Sequence, residues 1–360
     1  MTCGSGSAQS PTMNRPRRPN QTLAVGLGWI EEHCVVPDRF AAGAPLRLYD
    51  FQFEYLAKFY TVRGDAVWNP ANPMLGEAFV YQEGLQVGPQ KLGKSPGTAA
   101  HVTLEGVGPA LFAGWAGEDD GYACSDWGCG CGWEFPYAPG EPMGMPWATP
   151  LIQITALSEE QTDNIYDALR PMIELGPLAD LIPKTGEEFI RLPGGGRIDT
   201  VTSSATSRLG ARVTFRPADE TGLWLKSNKM VAVNDTQLRG LAGMGGRSSQ
   251  TTNAWNPAEN SVAQMTYESP SEDIYKQFRQ PPPQWSYKNK VERRKIHQHV
   301  YGEVLKENGG HVPLESIEAL AVKLLARDAA QAERFFGNRL VAGSGAWLKE
   351  LLWERAYAGA

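Results

Sequence analysis

The chain has 360 residues and a formal net charge of −6, from 34 Lys and Arg against 40 Asp and Glu. Its length suits one large domain or two modest ones. Its acidic balance excludes a global attraction to DNA or anionic membranes, so such contacts would need a local patch. We find no apolar run of about eighteen residues and no signal-peptide segment. Few cysteines indicate a reducing compartment. They are Cys3, Cys34, Cys124, Cys129 and Cys131.

The composition and breakers along the chain divide it into three segments. Residues 1–45 are predicted to be an N-terminal tail and entry segment, partly disordered because its first part is rich in Ser, Pro, Asn and Arg. Residues 46–280 are predicted to form the core, and 281–360, after a Pro-Pro-Pro breaker, a helical lid and linker. A solvated tail is favoured over weak phosphate affinity for the basic cluster MNRPRRPNQ.

Apolar and aromatic residues at helical spacing predict a helix within 46–60. Gln52 lies within it, and a side-chain amide can pair with both the donor and the acceptor edge of adenine.

The central motif is VGPQKLGKSPG, which contains a complete G-x-x-x-x-G-K-[ST] match, the phosphate-binding P-loop signature. In such a loop the backbone N–H groups point at phosphates, Lys94 reaches the β- and γ-phosphates, and the Ser95 hydroxyl binds Mg²⁺. A strand at 78–81 and the apolar positions after it, and a helix over 98–107, give the expected context. A chance glycine-lysine loop is the alternative. The matching residues are Gly88, Pro89, Gln90, Lys91, Leu92, Gly93, Lys94 and Ser95.

A Gly- and aromatic-rich insertion, 114–147, carries Cys124, Cys129 and Cys131. Three soft ligands so close in sequence could form part of a zinc site with a fourth ligand from elsewhere. Because paired C-x2-C spacing is absent, ordinary free or buried thiols are favoured.

The next elements follow an α/β rhythm. A buried strand is predicted at 150–156, and the S-x-x-Q sequence from Ser158 to Gln161 predicts a capped helix to about Ile173. A turn at 193–196 precedes a strand over 197–203.

The segment ARVTFRPADE supplies the acidic pair that nucleotide hydrolysis needs. Asp219 would hold the Mg²⁺ shell and Glu220 would polarise the attacking water. Arg216 and Pro217 interrupt what should be an apolar strand, so a surface acidic pair is the alternative. A polar strand at 248–255 would place its side chains near the γ-phosphate if it neighbours the P-loop strand. Two helices are predicted at 314–325 and 328–340.

In order, these motifs resemble the ATPase part of the large terminase subunit of tailed bacteriophages, the motor that pumps DNA into procapsids. The matching stretches run from about 46 to about 345. They are LYDFQ, VGPQKLGKS, TPLIQITALSEEQTDNIYDAL, SRLGARVTF…DETGLW, QTTNAWNPAENSVAQ and AERFFGNRLVAG.

The resemblance implies an ASCE-type P-loop NTPase with a mainly parallel central sheet flanked by helices, and a small C-terminal helical lid. It implies that Gln52 reads adenine, that Lys91 lies near the γ-phosphate, and that Asp219 and Glu220 form the Walker B pair. The implied coupling motif is Thr251, Thr252 and Asn253. Arg208, with Arg212 as runner-up, is the implied arginine finger reaching into a neighbouring subunit.

The implied activity is ATP hydrolysis, with ATP and Mg²⁺, that drives double-stranded DNA into the procapsid. The implied partners are the portal protein and a small terminase subunit, and the implied assembly is a homo-oligomeric ring on the portal, with a monomer in solution left open. The implied location is the host cytoplasm, with no membrane. The alternative is a generic P-loop ATPase of the helicase or remodelling type.

In the family a nuclease domain follows, but only 80 residues (360 − 280) follow the predicted core here. Their acids are at helical spacing on what reads as the solvated face of a lid, and a two-metal nuclease needs several carboxylates converging from strand ends. We therefore expect no nuclease domain and no DNA cutting by this chain, with the nuclease on a separate polypeptide or absent. Those acids include Glu303, Glu315, Glu318 and Asp328.

Overall fold

The computed structural model describes residues 21–182, 184–186, 189–202 and 211–343. Within them, helices flank one large sheet and three further helices follow it. The helices are α1 (Ala24–His33), α2 (Asp50–Phe59), α3 (Lys94–Val107), α4 (Glu159–Glu174), α5 (Leu178–Leu181), α6 (Met230–Ala242), α7 (Val262–Glu268), α8 (Lys290–Tyr301), α9 (Leu314–Leu325) and α10 (Ala329–Phe335).

The large sheet has seven strands in the order β11-β1-β10-β9-β6-β8-β7. Every neighbouring pair is parallel except β7 with β8, which form an antiparallel hairpin at one edge. This mainly parallel sheet between helices confirms the predicted fold class. Its strands are β1 (Glu83–Val87), β6 (Leu151–Thr155), β7 (Phe189–Arg191), β8 (Arg197–Val201), β9 (Phe215–Asp219), β10 (Arg247–Thr252) and β11 (Ile274–Phe278).

The strand before the P-loop lies later than the sequence indicated. Residues 78–81 were predicted as strand, but a 3-10 turn ends at Ala78 and β1 begins at Glu83. The sequence did not indicate a strand here because some of its side chains are polar. In the sheet these side chains have partners: Gln86 Nε2 donates to Gln277 Oε1 of β11 at 2.9 Å. Gly84 is required there because a Cβ would lie 2.2 Å from the Tyr55 hydroxyl of α2.

Arg216 and Pro217 do not interrupt the strand that leads to the acidic pair. Arg216 is fully buried in β9, and its guanidinium donates to Ser248 Oγ and to Asn234 Oδ1 at 2.7 Å. It also pairs with Glu83 at 3.5 Å. A buried cation with such partners is satisfied, so an arginine can occupy a central strand.

Several other predicted elements are found with shifted ends. The strand at 150–156 is β6, the helix after Ser158 is α4, and the strand over 197–203 is β8 after a 3-10 turn, Pro193–Gly195. Ser158 lies at the N-cap of α4, but no side-chain cap bond is made there, so the predicted capping box does not form. The helix predicted over 328–340 is the shorter α10.

The principal hydrophobic core lies on the side of the sheet that α1, α2, α3 and α4 cover. Helix α1 is largely buried and packs against α3. Beneath α3, the Arg247 guanidinium pairs with the buried carboxylate of Glu105 at 3.2 Å. Between α3 and β6 the chain adds two small antiparallel sheets. One joins β2 (Leu111–Trp115) to β5 (Pro142–Met145), and the other joins β3 (Gly121–Ala123) to β4 (Glu134–Pro136).

Helices α8, α9 and α10 share a second hydrophobic cluster, which we call the lid. The sequence had indicated that the acids of the lid lie on a solvated face. In the structure they are not all solvated. Glu318 is 9% exposed, with its carboxylate between Arg293 at 3.3 Å and the His297 ring. Among the described residues after Phe278 there is no strand longer than an isolated bridge, and no described helix is long and apolar enough to cross a membrane.

Candidate nucleotide-binding site

Three neighbouring strands of the sheet end at the same edge, and each carries a predicted motif there. Strand β1 leads into the P-loop, β9 ends at Asp219, and β10 ends at Thr252, just before Asn253. Because β10 lies between β1 and β9, the third motif is held between the P-loop and the acidic pair. Ligands of open parallel sheets bind at this carboxyl edge.

The P-loop runs from Gly88 to Gly93 and opens α3. Its backbone takes left-handed conformations at Lys91 (φ +66°) and at Gly93 (φ +93°). Gly88 N donates to Thr252 O at 3.0 Å, which ties the loop to β10. Helix α3 begins at Lys94, earlier than the predicted 98–107, so its N-terminal amides lie directly at the loop. A helix N-terminus of this kind favours bound phosphate.

Lys94 is buried at the centre of the site. Its Nζ donates to Gly88 O at 2.9 Å, to Pro89 O at 3.0 Å and to Asn253 Oδ1 at 3.0 Å. Burial lowers the pKa of Lys94, while the charges of Glu220 and Asp219 raise it. An ammonium has three N–H donors, so all three are occupied within the chain.

Asp219 is buried and Glu220 is half-buried beside Lys94. Thr251 Oγ1 donates to Asp219 Oδ1 at 2.6 Å. Glu220 has a left-handed backbone (φ +52°), and its carboxylate accepts from Asn253 Nδ2 at 3.0 and 3.1 Å. Burial raises the pKa of both acids, and the charge of Lys94 opposes that rise.

Asn253 therefore connects the P-loop lysine to the acidic pair. Its Oδ1 accepts from Lys94, and its Nδ2 and backbone N–H donate to Glu220. Thr252 Oγ1 accepts from Gly222 N at 2.9 Å, which fixes the turn after the acidic pair. The three side chains predicted as a coupling motif thus contact the acidic segment, and Asn253 also contacts Lys94.

Gln52 contacts the P-loop, and its amide makes two hydrogen bonds. Its Nε2 donates to Gly93 O at 3.0 Å and its Oε1 accepts from Tyr49 N at 3.0 Å. The amide keeps a second N–H and a second oxygen lone pair, and its role in reading adenine stays a prediction. In the structure Gln52 braces the loop.

Sequence reasoning missed the contact between lid and P-loop. Tyr301 OH donates to Gln90 O at 2.8 Å, and Gln90 N donates to Phe335 O at 2.8 Å. Leu92, at the tip of the loop, belongs to the lid's hydrophobic cluster. His311 lies beside Gly93 and bonds the Tyr49 hydroxyl at 2.9 Å. An amphipathic pattern identifies a lid helix but not the surface on which it packs.

The remaining predicted site residues are Ser95, Lys91, Arg208 and Arg212. Ser95 follows Lys94 in α3 and is half-buried, and Lys91 is exposed at the loop. Arg208, the predicted arginine finger, lies outside the described residues, as does Cys3. Arg212, the runner-up, is exposed just before β9. These placements leave the roles of all three arginine and lysine side chains as predictions.

The insertion's cysteines converge on a residue that the sequence had not singled out. Cys124, Cys129 and Cys131 surround the ring of His33, which ends α1. Their ligand atoms all lie within 4.8 Å of one another.

The fold and the edge on which its motifs meet define a P-loop α/β protein of the terminase ATPase fold. The solved crystal structure of the HK97 bacteriophage large terminase superposes on 88% of this chain with a TM-score of 0.58 and 17% identity. This chain covers 55% of that protein. At this identity the likeness establishes the fold alone.

Two curated phage proteins are similar in sequence. The Gene 13 protein of Mycobacterium phage L5 is 28% identical over 216 residues, which is 57% of this chain and 32% of that protein. The Gene 13 protein of Mycobacterium phage D29 is 28% identical over 195 residues, 52% of this chain and 29% of that protein. The matched region thus spans about a third of each relative's length. No protein-family model matches the chain.

Proposed function

We propose that this chain hydrolyses ATP at the carboxyl edge of its sheet and uses the energy to drive double-stranded DNA into a viral procapsid. The observation that carries the proposal is the Asn253 side chain, which holds Lys94 and Glu220 together on a fold shared with a phage large terminase. A chance P-loop match would not be expected to meet a buried acidic pair and an amide at one edge.

The residues at this edge fit ATP and Mg²⁺. The backbone amides from Lys91 to Ser95, at the N-terminus of α3, suit phosphate oxygens, and Gln52 is positioned beside the loop for the base. Hard oxygen ligands for Mg²⁺ are available from the Ser95 hydroxyl and the Asp219 carboxylate. When bound there, Mg²⁺ would supply positive charge that neutralises the charge developing on the phosphates.

Glu220 has the role of general base towards the attacking water. Its carboxylate is held by two donors from Asn253, which fixes its orientation. Glu220 is half-buried beside Lys94. Lys94 in turn stabilises the charge on the γ-phosphate in a site of low polarity, where such contacts have their largest effect.

The three occupied N–H donors of Lys94 would couple nucleotide binding to the residues around it. Because all three N–H groups are bonded within the chain, a phosphate oxygen can bond to Nζ only by replacing one partner. We propose that Asn253 is the partner that is exchanged. Its release from Lys94 would reorient its contact with Glu220 and so transmit the state of the nucleotide along β10.

The proposed setting is the host cytoplasm, with the protein docked transiently on the procapsid. The proposed partners are double-stranded DNA, the portal protein and a small terminase subunit, in a homo-oligomeric ring. Arg208 is proposed as the residue that reaches the neighbouring subunit's nucleotide, and a separate polypeptide as the nuclease.

The test is steady-state ATP hydrolysis by the purified chain, with and without duplex DNA and portal. Glu220→Gln should bind ATP with near-normal affinity and hydrolyse it at least about a hundredfold more slowly, the usual scale of general-base catalysis. Asp219→Asn should instead raise the Mg²⁺ concentration needed. Normal turnover by both variants would contradict the site. Duplex unwinding without a portal effect would favour the helicase or remodelling alternative.

A further inference from the structure

The geometry points to a structural zinc site formed by His33, Cys124, Cys129 and Cys131, and we propose that it joins the N-terminal helix to the insertion between α3 and β6. This site is separate from the nucleotide edge and does not depend on the proposed function. Zinc is the metal that a Cys₃His set suits best, because thiolate and imidazole are its preferred ligands in closed structural sites.

The separations match a single tetrahedral ion. Four ligands at ordinary Zn–S and Zn–N lengths stand about 3.5–3.8 Å from one another. Here His33 Nε2 lies 3.3 Å from Cys124 Sγ, 3.7 Å from Cys129 Sγ and 3.2 Å from Cys131 Sγ. One ion at the centre of these atoms would therefore need only small side-chain adjustments.

His33 is already oriented as a metal ligand. It is 0% exposed, and its Nδ1 donates to the backbone carbonyl of Trp29 at 2.9 Å. That bond selects the tautomer with an unprotonated Nε2, the atom that faces the three sulfurs. The ring is stacked on Trp29 at 4.4 Å and meets the edge of Trp133, so its plane is fixed from both sides.

The backbone between the cysteines curls so that their sulfurs converge. A 3-10 turn, Cys124–Trp127, ends at Gly128, whose φ of +80° reverses the chain, and Cys129 N donates to Cys124 O at 3.1 Å. Gly132 takes φ +75°, and Trp133 N then donates to Cys131 Sγ at 3.4 Å. Sulfurs that hold a metal ion commonly accept hydrogen bonds from nearby N–H groups, so this bond suits a thiolate site.

This site would add a further link between the insertion and α1. The β3–β4 hairpin has three-residue strands, and a two-stranded hairpin alone is marginally stable. Its contact with α1 is close, since a Cβ on Gly28 would lie 3.3 Å from Trp133. A bound ion would link α1 and the insertion through coordinate bonds, although the two segments are about ninety residues apart in sequence. The energy of metal binding would stabilise the folded state.

The test is the metal content of the full chain, purified without chelator and measured by elemental mass spectrometry. We expect about one Zn²⁺ per chain. Cys129→Ser and His33→Gln should lose it. Cys34→Ser is the matched control, because Cys34 adjoins His33 in sequence but bonds Thr103 Oγ1 instead, and it should keep the ion. Loss of zinc from Cys34→Ser to the same extent would overturn the assignment.

A measurement on the unmodified chain covers variants that fail to fold. Replacing zinc by Co²⁺ should give the visible absorption of a tetrahedral thiolate site, and removing metal with a chelator should lower Tm reversibly. Purified protein with no bound metal, no Tm response to added Zn²⁺ and no Co²⁺ spectrum would overturn the proposal. So would a disulfide among the three cysteines in freshly purified protein.

Discussion

At the scale of single residues, the site depends on buried charges whose partners the sequence does not reveal. The G-x-x-x-x-G-K-S pattern predicted Lys94. The acidic pair was predicted from two adjacent acidic residues after a strand pattern that Arg216 and Pro217 interrupt. The Asn253 side chain, which bonds both groups, was singled out only through the resemblance to terminases. Spacing predicts which residue types lie at a strand end. It does not predict which of their atoms meet.

Lys94→Ala should abolish ATP hydrolysis while leaving the fold intact. The ammonium faces the position of the phosphates in a dry site, and losing one such contact costs on the order of 2.7–4 kcal/mol, a factor of about 10²–10³ in rate. The check is steady-state turnover together with circular dichroism. Retained turnover in Lys94→Ala would contradict the assignment of residues 88–95 as a P-loop.

Asn253→Ala should shift the acid limb of the pH–rate profile to higher pH. Burial raises the pKa of Glu220, so the carboxylate needed as base is lost at a higher pH than for an ordinary glutamate. The hydrogen bonds from Asn253 oppose that rise. Losing the side-chain bonds leaves the charged form less stabilised, and the limb shifts to higher pH. An unchanged limb in the kcat profile would mean that Glu220 is not the titrating base.

At the scale of secondary-structure elements, the sequence predicted the strands and helices that carry the motifs but not others, such as α1, α6 and β11. Apolar runs identified β6, and helical periodicity identified α9 with the bounds it has in the structure. Strand β1 was misplaced because polar side chains that pair across the sheet mimic a loop in sequence. The lid was expected as a unit, but its contact with the loop depends on pairs about two hundred residues apart.

Tyr301→Phe should weaken nucleotide binding by about two- to tenfold. The hydroxyl that holds Gln90 O would be lost, and a net hydrogen bond contributes about 0.5–1.5 kcal/mol. The measurement is nucleotide Kd by calorimetry or a fluorescent analogue. Tyr287→Phe is the matched control, since Tyr287 is also buried in the lid but its hydroxyl bonds His297 at 2.8 Å. Both variants should lower Tm. Equal effects on Kd would mean that the lid contact does not position the loop.

At the scale of the whole molecule, the sheet brings three motifs to one edge and the lid packs on their loop. The fold was predictable because the motif order is that of one architecture, in which parallel strands need crossover helices. The convergence of His33 with the cysteines was not, because α1 and the insertion are separated by the whole P-loop and α3. The arginine finger, by its nature, needs a second subunit.

Arg208→Ala should bind nucleotide normally and lose hydrolysis only in the assembled ring. A guanidinium supplied by a neighbour stabilises charge on the transferring phosphoryl group, and in P-loop enzymes this contributes about 10³–10⁵ in rate. Mixing Arg208→Ala with Lys94→Ala subunits restores some interfaces in which an intact P-loop meets an intact arginine, so turnover should recover in part and peak at an intermediate ratio. Arg212→Ala, carried through the same mixing series, tests the exposed alternative just before β9. If no ratio gives recovery with Arg208→Ala but Arg212→Ala behaves as described, the finger is Arg212. If neither gives recovery, the arginine that completes the site belongs to the same subunit.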